Sequence, residues 1–138
     1  MPDYTMRTTV RRPYEGTVAR VRDELVEAGF GVLTEVDLRA TLKKKLDVDV
    51  APQVILGACR PQLAHQALQV EPAIATLLPC NVVVRALDEE TTVVEAFDPR
   101  AMVTLGGGDE AGEALREVAT DARERLSAML ARLEEGTD

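Results

Sequence analysis

The sequence predicts one small α+β domain built on a mainly antiparallel sheet, and three observations carry that expectation. A chain of 138 residues is the size of one domain with one core. Segments that alternate apolar and polar residues are interleaved with segments whose apolar residues recur at three- and four-residue steps, so strands and helices mix along the chain. The acidic turn Asp88-Glu89-Glu90 joins two apolar segments directly, and a connection that short fits an antiparallel hairpin rather than a parallel crossover.

The elements follow in order. Thr5 to Arg11 sets Met6, Thr8 and Val10 on one face of a first strand, and Pro13 marks its exit. From Tyr14 to Ala28 the spacing of Val18, Val21, Leu25 and Ala28 predicts an amphipathic helix, with Gly29 as a left-handed stop. Phe30 to Val36 has strand composition, and Asp37 can cap a helix whose Leu38, Leu42 and Leu46 share a stripe opposite Lys43, Lys44 and Lys45. Gln53 to Ala58 reads as a buried strand, Pro61 opens a helix with Leu63, Ala67 and Leu68 on its apolar side, and a short helix runs from Pro72 to before Pro79. Val82 to Leu87 and Thr91 to Phe97 form the hairpin, and Asp98 caps a single helical turn. Gly106-Gly107-Gly108 reads as a linker, because a phosphate-binding loop would need a Lys-Ser/Thr that is missing. The last helix, about 110–134, carries a stripe from Leu115 to Leu133 that covers the sheet or meets another subunit. Residues 1–138 are thus one domain.

Composition narrows the function classes. Twenty-four acidic residues face 16 basic ones, a formal charge of −8, and residues 109–138 hold nine acids against four bases. An acidic surface repels phosphate backbones and anionic lipid, so neither nucleic acid nor membrane is an expected partner. Four aromatic residues and no Trp leave little with which to stack bases. No apolar run reaches the roughly 20 residues of a membrane span, and the opening Met1-Pro2-Asp3-Tyr4 lacks the pattern of a signal peptide; a soluble cytoplasmic protein is the expectation. Two cysteines in such a setting are reduced thiols rather than a disulfide scaffold.

Cys59, His65 and Cys80 fall within one 22-residue window. Cys59 closes one strand and Cys80 immediately precedes another, so both thiols lie at related ends if those strands are neighbours. One reading makes Cys80, before Asn81, a nucleophile, redox thiol or soft-metal ligand with Cys59 and His65 as partners. The other makes both cysteines packed space-fillers and His65 an exposed helix residue. The spacing fits no zinc ribbon or Cys-x-x-Cys pattern. Carboxylates form a second constellation. Glu35 could act as a base if desolvated, whereas Asp37 and Asp98 are explained as helix caps.

Several ordered blocks resemble the uncharacterised bacterial and archaeal family named domain of unknown function 302. They are Gly29-Phe30-Gly31-Val32-Leu33-Thr34-Glu35-Val36-Asp37, Ala40-Thr41-Leu42-Lys43, Ile55-Leu56-Gly57-Ala58-Cys59, Leu77-Leu78-Pro79-Cys80-Asn81-Val82 and Asp98-Pro99. They span residues 29–102. The resemblance implies a TATA-binding-protein-like fold, β-α-β-β-β-β-α with inserted short helices and a long C-terminal helix, and a homodimer. Fold alone does not imply DNA binding. The family's motif cysteines correspond to Cys59 and Cys80, while His65 falls where members vary; no agreed activity accompanies the fold.

Three functions follow. The first is a small dimeric binding module in which Cys80, Cys59 and Asn81 hold a small ligand, either a soft metal ion on Cys59 and Cys80 or a sulfur-containing molecule. The second is a structural or protein-interaction domain with packed cysteines. The third is a thiol-dependent enzyme with Cys80 as nucleophile, Glu35 or Asp98 as base, and backbone amides near Pro79 stabilising charge.

Overall fold

The computed structural model describes residues 3–106 and 112–135, apart from the side chains of residues 106 and 135. Five strands, β1 (Thr5–Val10), β2 (Gly31–Asp37), β3 (Gln53–Cys59), β4 (Cys80–Ala86) and β5 (Thr92–Phe97), form one sheet in the order β1-β5-β4-β3-β2, and every adjacent pair is antiparallel. The helices are α1 (Tyr14–Glu27), α2 (Leu38–Leu46), α3 (Pro61–Val70), α4 (Arg100–Gly106) and α5 (Gly112–Glu135), and a 3₁₀ helix spans Pro72–Leu77. The expected α+β fold with its antiparallel sheet, inserted short helices and long C-terminal helix is the observed one.

Strand alternation makes the core. In β3 and β4 the residues Val54, Leu56, Ala58, Val82 and Val84 are buried, with Ile55, Val83 and Arg85 between them less so. The register sets Leu56 opposite Val82 and Val84 opposite Val94, so same-face apolar pairs stack across three strands. Onto that face pack Val21 and Leu25 of α1, Leu63 and Ala67 of α3, and Leu115, Leu126, Met129 and Leu133 of α5. The predicted stripe of α5 therefore covers the sheet of its own chain.

Chain punctuation behaves as its chemistry requires. Gly29 takes φ +91°, its N–H donates to Val26 O at 3.0 Å, and that of Phe30 donates to Leu25 O at 2.9 Å, which closes the last carbonyls of α1. Asp37 Oδ1 accepts from Ala40 N at 2.9 Å and caps α2. The single turn expected after Asp98 is instead a helix of seven residues, α4, because capping by Asp98 is joined by burial of Met102 in the core. A second departure concerns α2. Its leucine stripe finds no place in the core and none of its residues is buried. The Gly106-Gly107-Gly108 linker lies largely outside the described residues.

Candidate functional site

β3 and β4 are neighbours, so the end of one and the start of the other meet at the same end of the sheet, with Ala58 opposite Cys80 and Cys59 opposite Gly31. Alternation sends Cys80 to the helix-covered face with Val82, while Cys59 belongs to the other set with Ile55 and Gly57. Cys80 is buried, 6% exposed, and Cys59 is part-exposed. Both line a narrow cleft of about 30 Å³, whose apolar wall comes from Leu63 and Ala67 of α3, Met102 of α4, Val118 of α5, and Phe30 and Leu78. Arg60, the cap position of α3, is the one charged residue in the lining.

The electrostatics of the thiols follow from this setting. Burial, with the nearby Cys59 adding to it, pushes the Cys80 thiol up to about 11, and burial also raises that of Cys59. At neutral pH Cys80 is a protonated, weakly polar sulfur in a wall that is apolar apart from Arg60, and burial rather than a neighbouring cation sets its ionisation.

The other candidate residues stand elsewhere. Asn81 is exposed on the opposite face of β4, where it borders an open groove with Gln53, Arg85 and Glu95. His65 is exposed on α3. Glu35 is exposed on the edge strand β2 and forms an ion pair with Arg22. Asp98 is buried, and Arg100 donates to it from Nε at 3.0 Å and from Nη2 at 2.7 Å, with Arg123 Nε at 3.4 Å. Burial alone would raise its carboxyl, but these hydrogen bonds and the Arg100 charge outweigh it and hold the group below its ordinary value. Such a carboxylate is spoken for as cap and ion-pair partner. Among the described residues no three His, Cys, Asp or Glu side chains gather as metal ligands would, and no helix is long and apolar enough to cross a membrane.

Sequence reasoning missed the cleft wall, and Arg60 in particular. One signal was available: Arg60 precedes the helix-opening Pro61, where a cation meets the positive end of the helix dipole and none of the favoured capping side chains is present.

The geometry now meets known proteins. No curated protein matches the chain. A crystal structure of an uncharacterised conserved DUF302 protein from Bacillus stearothermophilus superposes with a TM-score of 0.84 at 30% identity, covering 96% of this chain and 100% of that one. The family model described as domain of unknown function DUF302 matches residues 6–133, and with the cleft cysteines inside that span the chain belongs to the DUF302 family.

Proposed function

We propose that this chain is a binding module whose cleft at the end of β3 and β4 takes a small, sulfur-containing apolar ligand against the Cys80 thiol. The observation that carries the reading is the pairing of an open apolar cleft with a protonated thiol in its wall. A neutral polarizable sulfur favours contact with a thioether or thiol over catalysis, since nucleophilic attack needs the thiolate. A soft metal ion on Cys59 and Cys80 is the less favoured occupant. Ligation requires both thiols to ionise, and burial opposes ionisation at each.

The experiment is a titration of the full chain with the neutral thioether 3-(methylthio)propan-1-ol, followed by amide chemical shifts. Shifts confined to the neighbourhood of Ala58, Leu63, Met102 and Val118 are expected, with loss in Ala64→Leu, which narrows the cleft, and weakening in Cys80→Ser. No shift in the wild type, or equal shifts in both variants, overturns the reading.

A second reading, that the module is a homodimer, is favoured by one observation. Leu33 and Val36 of β2, Leu46 of α2 and Val48 beyond it are all exposed, while α2 buries nothing in its own chain. This face is the proposed contact between two copies.

A further inference from the structure

We propose that Arg60 makes the cleft selective for a ligand bearing an anionic group, so that the occupant is a small apolar sulfur compound ending in a carboxylate. The inference rests on the reading of the cleft as a ligand site and names the ligand class.

Three independent observations converge on Arg60. The first is a donor without an acceptor: the Nε of Arg60 is buried and has no hydrogen-bond partner. A guanidinium carries five N–H donors, and the side chain's one hydrogen bond among the described residues runs from Nη1 to Gly29 O at 3.4 Å, the long end of the range. Among the described residues it has no carboxylate partner. A buried donor left unmatched is unfavourable, and an acceptor entering through the cleft would relieve it.

The second is a like-charge approach. The Nη1 atoms of Arg60 and Arg125 lie 2.5 and 3.2 Å from the point that a Cβ on Gly29 would occupy, so two guanidiniums converge on one glycine. Arg125 is compensated by Asp121, whose Oδ1 accepts from its Nε at 2.5 Å, and its Nη1 donates to Ala28 O at 3.1 Å. Of the two, Arg60 is the one with no carboxylate partner among the described residues. The third is position. Arg60 occupies the cap of the ten-residue helix α3, where its side chain makes no capping hydrogen bond and a cationic residue stands at the positive end of the helix. Each feature disfavours an unpaired cation here, and each favours an anion beside it.

The remaining lining fixes the rest of the ligand. Apart from Arg60 the wall is apolar or thiol, which suits a single anionic group on an apolar body and disfavours a polyanion.

The test compares 3-(methylthio)propanoate with the neutral 3-(methylthio)propan-1-ol on the full chain. The carboxylate should bind at least about tenfold more tightly, the range expected for a hydrogen bond to a charged group. The preference should shrink in about 0.5 M salt and vanish in Arg60→Gln, with affinity for the alcohol unchanged, while Arg60→Lys keeps part of it. If acid and alcohol bind the wild type equally, or Arg60→Gln keeps the preference, the anion anchor is overturned and the cleft reading stands. If neither probe binds, both are overturned together.

Discussion

Cys80 shows how the same residue changes meaning with its surroundings. Next to a cation it would be a nucleophile; enclosed among apolar side chains, with Cys59 nearby, it is a thiol held up to about 11. Because that value lies above the roughly 8.5 of an unfolded cysteine, the stability it contributes is fully present below about pH 8.5 and is lost as pH rises toward its folded value. Two outcomes are expected. Part-exposed Cys59 is alkylated first at neutral pH, with Cys80 modified only far above pH 9. In urea, the wild type loses stability between about pH 8.5 and 11 more steeply than Cys80→Ala does. Equal alkylation rates for the two thiols at neutral pH, read by mass spectrometry of peptides, would show Cys80 to be an accessible thiolate and return the thiol-enzyme reading to the front.

At the scale of elements, the end of α1 supports the cleft. Gly29 turns left-handed so that Phe30 can enter the cleft wall, and its missing Cβ leaves room for the Arg60 guanidinium. Gly29→Ala should therefore destabilise the fold by about 1–2 kcal/mol from the backbone alone. Gly31→Ala serves as the control, since a Cβ there meets only the Cys59 carbonyl oxygen at 3.9 Å; similar shifts of the urea midpoint in both variants would contradict this account. The glycine stop, the Asp37 cap and the succession of strands and helices along the chain were legible in the sequence because each rests on local chemistry. So was the meeting of Cys59 and Cys80 at one end of the sheet, which needs only that β3 and β4 be neighbours. The cleft was not legible, because Arg60, Leu78, Met102 and Val118 are brought together by tertiary packing and share no periodicity. Alternation would have turned Asn81 away from Cys80 had the strand been read from Cys80 rather than from Val82. The leucine stripe of α2 could not say whether its partner lay in the same chain.

For the whole molecule that stripe is the open question. The sheet buries one face under four helices, and α2 and β2 are left at one edge with Leu46 65% and Leu33 64% exposed. Direct pairing of two β2 edges is disfavoured by the irregularity between Val32 and Thr34, where the register with β3 shifts, since a bulge interrupts and twists an edge. Contact through side chains is the better geometry. Lys43 forms ion pairs with Asp47 and Asp49 beside the apolar residues, with Lys44 and Lys45 adjacent, so a two-fold arrangement can set each sign of charge against the other. Light scattering should accordingly give twice the 15.0 kDa chain mass for the wild type, and Leu46→Asp should return the mass to that of one chain. The far-UV spectrum of the variant should be unchanged, because the side chain is exposed within its own chain. Leu33→Asp, on the neighbouring strand, should act in the same way. A wild type that scatters as a single chain, or a Leu46→Asp variant as dimeric as the wild type, would remove this face from the interface and leave α2 without the partner its sequence asks for.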